Sequence, residues 1–468
     1  MILLLAALLA MPAAAVEVTV YNDNLGLVKE HRTFALKDGV NDVQAADVAA
    51  QIDPTSVHFK SLTAPDAVSV LEQDFEYDLA SPDKIMEKYL GKTIALERYA
   101  GPNGEKREVL EGTLLSVSGG RVIQSGGKVY IDPPGSPVLP ELPEGLLTKP
   151  TLVWKLRSTK AGAHDCEVSY LTTGMGWSAD YVAVANDNDT KMDLNAWVTL
   201  NNNSGAAYKD AKLKLVAGDV HRAPAPQLRM MAAKAMSLAA AAPADANFAE
   251  KSFFEYHLYT LGRATTLKEN ETKQIELAGA ANVPVQKVYT YRGAPDVWSE
   301  YGDYTRSDAN YGAGGGNKKV FVTLEFKNAK SNNLGLALPA GRVRVYKADS
   351  DGSLLLIGED AIDHTPKDEE VRLKIGDAFD IVGERKRVNF QVDTKRRWAE
   401  ESFEIKLRNH KDQDVSVVVV EPLYRWTSWK IVDSSQKWIK KDAQTIRFDV
   451  PVNKDGESTV TYTVRYAW

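Results

Sequence analysis

A carboxylate beside a histidine is the raw material of general acid–base chemistry. Glu359, Asp360, Asp363 and His364 crowd into the acidic run 358–370. They are the candidate catalytic residues of an envelope hydrolase, His364 foremost. No nucleophile or second base is identifiable with them, so a hydrated turn feeding a strand over 371–375 is the preferred reading. Cys166, the single cysteine, stands two residues from His164. On a strand the pair shares a face with Val168 and Tyr170, but lies ~6.5 Å apart along it, too far for a good thiolate–imidazolium pair. A buried structural thiol is expected instead. Recognition by aromatic rings is the other chemistry on offer. Residues 289–319 carry Tyr289, Tyr291, Trp298, Tyr301, Tyr304 and Tyr311 and the run Gly314-Gly315-Gly316. Tyr291, Trp298, Tyr301 and Tyr304 are candidate ligand-binding residues on a flexible arm for sugar or peptide. An insertion tolerated at the surface has the same composition.

Metal and cofactor chemistry find no foothold. The histidines, at positions 31, 58, 164, 221, 257, 364 and 410, never fall at metal-motif spacing. Asp349-Ser350-Asp351-Gly352-Ser353 opens like a calcium loop, but Leu354 stands where the tight turn wants glycine. An Asp-Gly hairpin joining 343–346 to 354–357 is expected there. Asn186-Asp187-Asn188-Asp189 reads as an Asx-rich loop. No nucleophile elbow, Walker loop or dinucleotide fingerprint occurs in context.

The elements that must position these residues are strands. Short alternating runs from 16 to about 75, such as Val16-Glu17-Val18-Thr19-Val20-Tyr21, predict an N-terminal β domain over 16–80. Ser81 as N-cap, Pro82 at the first helical position and Gly91 beyond the end predict a helix over 82–90. Short glycine-punctuated strands from 92 to 132 then suggest, with that helix, a unit over 81–132 containing a small barrel of SH3 or Sm type. Six prolines within 132–150 predict an extended linker over 133–150. Long strand-like runs define a central β domain over 151–385, with insertions at 223–249 and 292–319. A C-terminal domain over 386–468 has the strand density of an immunoglobulin-like sandwich. Strands ending at Asn201-Asn202-Asn203, Asn328 and Asn409 repeat a strand, Asn turn, strand unit, a place where asparagine suits left-handed turn geometry. The expected fold is therefore mostly β: multidomain antiparallel sandwiches with one small barrel and few helices.

The compartment is read from residues 1–15. An apolar core over 2–10 is too short to span a bilayer, and Ala13-Ala14-Ala15 offers a small-residue cleavage site, so a signal peptide is expected. No cysteine follows it, which excludes a lipobox, and one cysteine forbids an intrachain disulfide. The mature protein is expected in the periplasm or medium, with no membrane-spanning helix. Over 468 residues, 57 Lys and Arg against 63 Asp and Glu give a net charge of -6, and the interspersed signs leave no footprint for nucleic acid. A hydrophobic share of 44% with 26% charged is enough to bury real cores. The last strand alternates Val460, Tyr462, Val464, Tyr466 and Trp468 with polar residues, a pattern also found closing outer-membrane barrels. Lysines on long strands, as in Lys212-Leu213-Lys214-Leu215, argue for a sandwich strand.

Residues 154–220, above all Glu167-Val168-Ser169-Tyr170-Leu171-Thr172-Thr173-Gly174-Met175-Gly176-Trp177-Ser178-Ala179-Asp180-Tyr181, resemble the bacterial domain-of-unknown-function 4139 (DUF4139) family, to which mucoidy inhibitor A proteins are related. The resemblance continues through Gly358-Glu359-Asp360, His364-Thr365-Pro366 and Tyr424-Arg425-Trp426 to the end. It implies an exported bacterial β protein and carries over no catalytic or ligand-binding residue. The expected role is non-enzymatic binding or scaffolding in the cell envelope through sandwich surfaces, with an envelope protein or a cell-surface glycan as partner. A hydrolase built on Asp363 and His364 is the alternative, and an outer-membrane β-barrel the second alternative.

Overall fold

The structure is a computed structural model that describes residues 16–77, 81–100, 105–141, 143, 147–218, 220, 248–294, 303–312 and 316–468. The expected signal peptide and almost all of the 223–249 insertion lie outside them. The chain is mostly β: among the described residues 65% lie in strands, with two helices. It divides into two compact units. One comprises the residues up to Trp177 with Leu200–Val216 and Arg263–Lys273; the other comprises Ser178–Thr199, Ala217–Gly262 and Gln274–Trp468.

In the first unit, strands Tyr208–Ala217, Val16–Tyr21, Leu25–Leu36, Gly162–Thr172 and His58–Ser61 lie side by side in that order. Thr151–Ser158 pairs with Gly39–Ala46 on one side and Val68–Glu76 on the other. Their alternation buries Val18, Val28, Trp154, Val168 and Tyr170 on inward faces. The expected small barrel does not close. Ser136–Val138, Thr93–Ala100, Lys106–Ser116, Val122–Ser125 and Lys128–Ile131 form an open five-stranded sheet in that order. Helix Pro82–Lys88 provides the cover that closure would have supplied: Ile85 and Met86 pack on Ile94, Leu96, Leu114 and Ile123. Ser81 caps it as expected, its Oγ accepting from the Lys84 amide at 3.3 Å. The edge strand Ser136–Val138 comes from the proline-rich linker, of which those three residues pair with Leu96 and its neighbours.

In the second unit, Glu271–Pro284, Lys191–Asn202, Met175–Ala185, Gly341–Ala348 and Leu354–Ile362 form one sheet. A nine-stranded sheet follows, ordered Trp429–Ser434, Gly456–Ala467, Trp398–Asn409, Glu370–Asp393, Lys319–Lys327, Gln286–Tyr291, Val415–Pro422, Thr445–Val452 and Trp438–Lys440. The expected boundary at 385 falls inside the strand Glu370–Asp393. One core joins this sheet's two halves. Phe448 and Tyr462, on strands that do not pair, meet at 5.7 Å between ring centroids, and Phe403 stacks on Tyr462 at 5.2 Å.

The expected antiparallel pairing gives way, among the described residues, to parallel pairing at three places. Val16–Tyr21 pairs parallel with Tyr208–Ala217, Met175–Ala185 with Gly341–Ala348, and Gln286–Tyr291 with Val415–Pro422. Each pair is separated by more than a hundred residues, so no local strand–helix–strand rhythm announces it. Among the described residues no sheet closes into a barrel, and no helix is long and apolar enough to cross a membrane.

Candidate functional site

Period-two alternation gives the nine-stranded sheet two faces of different chemistry. Tyr289, Tyr291, Val320, Leu324, Leu373, Val417, Val419, Ile446 and Phe448 are buried. Their neighbours in sequence point the other way. Gln286, Val288 and Thr290, then Phe321, Thr323 and Glu325, then Arg372 and Lys374, then Val418 and Val420, then Arg447 line an open trough of about 630 Å³. Arg292 and Lys441 complete its lining, so five cations face one carboxylate, Glu325.

Three of these cations are engaged. Arg372 reaches Glu325 at 3.3 Å and Glu370 at 3.5 Å, Arg447 holds Asp449 at 3.0 Å, and the Lys374 ammonium lies 4.5 Å from the Phe321 ring centroid. Arg292 and Lys441 are exposed and have no ion pair among the described residues. This arrangement can hold anions by charge and by the guanidinium fork. The one hydroxyl set beside a carboxylate among its described lining residues is Thr323, which donates to Glu325 at 3.4 Å while Arg372 holds that carboxylate.

The sequence-derived candidates lie elsewhere. Asp363 and His364 are exposed, and His364 Nδ1 accepts from the Ala340 amide at 3.1 Å. Asp360 accepts the Ala361 amide at 2.9 Å and the Lys374 amide at 2.6 Å, one on each oxygen. Glu359 pairs with Arg344 at 3.0 Å. The side chains of Glu359, Asp360 and His364 thus serve the turn or the sheet, and Asp363 contributes its carbonyl to Thr365 Oγ1 at 2.7 Å. Cys166 is fully buried, as is His164, whose ring accepts from Ser61 Oγ at 3.1 Å and donates through Nε2 to the Lys160 carbonyl at 2.9 Å. Burial pushes the Cys166 thiol up to about 11, away from thiolate chemistry.

Tyr291 departs from its expected place on a flexible arm. It ends the strand Gln286–Tyr291, is fully buried, and donates its hydroxyl to the Asn317 carbonyl at 2.8 Å. Its neighbour Tyr289 is likewise in the core. Trp298 and Tyr301 lie outside the described residues, as does the side chain of Tyr304. Part of the expected arm is anchored: Arg425, fully buried, donates to the carbonyls of Arg306, Asp308 (3.0 Å) and Tyr311 (2.9 Å) and to Glu401 at 2.8 Å.

The Asp349–Gly352 turn is the expected hairpin, with the Asp349 amide bonded to the Ser353 carbonyl at 2.8 Å and Gly352 at a φ of 84°. Asp189, in the Asx loop, is occupied by Lys287 at 2.7 Å and Lys347 at 2.6 Å. No group of three or more metal-ligating side chains occurs among the described residues. The trough was missed in the sequence because its cations are scattered from 292 to 447: Arg372 and Lys374 on one strand, Arg447 on another, and Arg292 and Lys441 just past the ends of two more. The only available signal was alternation within each strand, as in Arg372-Leu373-Lys374.

No match to the chain was found among curated proteins. The model of the family described as a domain of unknown function (DUF4139) matches residues 166–468, about two thirds of the sequence, and the chain belongs to that family.

Proposed function

We propose that this protein is an exported, envelope-associated binding or scaffolding protein that works without catalysis, and that its second unit ends in an immunoglobulin-like sandwich. The observation that carries the reading is the trough: five cations around one carboxylate on the solvent face of a large sheet, with that carboxylate held by Arg372. The common core beneath that sheet supports the sandwich assignment. The hydrolase alternative draws little support from Glu359 and Asp360, whose carboxylates are held by Arg344 and by backbone amides. The barrel alternative draws none from open sheets or from Tyr462 and Tyr466, which are buried in a protein core.

The test is fractionation of cells producing the full chain, with crosslinking before lysis. The mature protein is expected in the soluble periplasm or medium, joined to a discrete envelope protein. Recovery only from detergent-extracted outer membrane would refute the assignment. A His364→Ala variant is expected to keep all cellular function; its loss in a folded variant would restore the hydrolase.

A further inference from the structure

The arrangement of charges in the trough points to a class of ligand. We propose that it holds an extended acidic segment of a partner protein, with apolar residues at its centre and carboxylates at both ends; this rests on the binding reading above. Arg372 and Lys374 stand on one side of strands Lys319–Lys327, Gln286–Tyr291 and Val415–Pro422, and Arg447 stands on the other. Four strand spacings of ~4.8 Å separate these rims by about 19 Å. An extended peptide at ~3.3 Å per residue crosses that span in about six residues. The middle of the floor carries Val288, Val418 and Thr290, and toward one rim it carries Gln286, Phe321, Thr323 and Glu325, whose charge Arg372 neutralises. It suits apolar side chains of a segment whose acidic ends meet the cations.

The floor strands are hydrogen-bonded to neighbours on both sides. A ligand here is therefore read by side chains and is not added as a further strand. Other polyanions fit less well. Sugar rings and nucleic-acid bases are held largely by stacking on open aromatic faces. Phe321 is the one aromatic residue of the lining, and the Lys374 ammonium sits over its ring. An incoming carboxylate gains most at Arg292 and Lys441, which need give up no ion pair among the described residues.

The full chain would be titrated with a fluorescent, end-blocked peptide of about seven residues, glutamates at each end and valines between, and with a matching peptide carrying lysines at the ends. The acidic peptide is expected to bind, to weaken as salt rises from ~0.05 to ~0.5 M, and to lose about tenfold or more in affinity when Arg292→Glu and Lys441→Glu are combined. The lysine peptide is expected not to bind. An Arg292→Ala, Lys441→Ala pair, expected to show a smaller loss in the same direction, covers the case in which charge reversal disturbs folding. Undiminished binding to both variants would overturn the proposal, as would tighter binding of an oligogalacturonate to the unaltered protein. If the acidic peptide fails while an envelope protein still crosslinks, the ligand assignment falls and the binding role stands. If neither occurs, both fall.

Discussion

Replacing Arg425 tests whether a buried ionic cluster holds the nine-stranded sheet and the segment beside it together. Arg425 and Glu401 are both fully buried, and the carboxylate is shared with Arg387 at 3.1 Å and the Tyr424 hydroxyl at 3.2 Å. In Arg425→Met the aliphatic bulk survives while the charge and the bonds to three carbonyls disappear. Removing one partner of a buried pair costs about 3–5 kcal/mol. Arg387 remains to face Glu401, so the lower end, about 3 kcal/mol, is expected. For a unit of this size that is a fall in Tm of about 6–12 °C. Arg425→Lys should recover little, because a point charge cannot serve carbonyls and carboxylate together as the planar fork does. Urea unfolding of the full chain, followed by tryptophan fluorescence, reads the change; the stacked Trp426 and Trp468, 4.0 Å between centroids, pack in and against this sheet's core. Limited proteolysis should show faster cleavage near 306–311, whose carbonyls lose their donor. A loss below about 1 kcal/mol, or a lysine variant as stable as the original, would refute the view that this arginine is a structural clamp.

Gly383→Ala should destabilise by about 1–3 kcal/mol, because an added Cβ would lie 2.2 Å from Cε2 of the buried Tyr291 ring; an unchanged urea midpoint would mean the ring moves freely. Cys166 should resist iodoacetamide in the native protein near pH 8 and react on unfolding, since burial raises its thiol to about 11; labelling at the rate of a free thiol would contradict that burial. Asp189 has its carboxyl pKa lowered: burial pushes it up, but hydrogen bonds and charge from Lys287 and Lys347 outweigh that. Its stabilisation is therefore present above the unfolded aspartate pKa of about 4 and lost as pH falls through the lower folded value. Asp189→Asn should thus be less stable than the parent at pH 7 and converge with it in strong acid; an equal gap at both pH values would sink the assignment.

Local chemistry was legible in the sequence where it is settled by neighbours in the chain. The Ser81 cap, the Asp-Gly hairpin at Gly352 and the buried face shared by His164 and Cys166 all follow from residues within a few positions. What depends on distant strands was not legible: three parallel pairings, the open edge of the small sheet, and five cations gathered from 292 to 447. Tyr291 shows why composition misleads. A tyrosine-rich stretch was expected to be one surface arm, but alternation had already begun at Gln286, and it carries Tyr289 and Tyr291 into the core.

The asparagine repeat lies between these cases, since its positions were readable and its mechanism was not. Asn202, Asn328 and Asn409 each stand at or just beyond a strand end, and all three are buried, but none has the left-handed backbone expected of them. Their side chains do the work instead. The Asn202 amide donates to the Ala206 and Lys268 carbonyls and its oxygen accepts the Ser204 amide; Asn328 donates to Leu336 and Pro366 and accepts from Gly335; Asn409 donates to Gln413 and Asn453 and accepts from Lys411. In every case one side chain satisfies both donors and acceptors of a turn that a strand has just left unpaired. Asparagine is required there because aspartate would bring only acceptors, and glutamine would place the same amide one methylene too far. The repeat is thus a recurrent solution to one local problem, the satisfaction of buried backbone where a long strand ends. It explains why similar sequence signals appear at three sites spread over two different sheets.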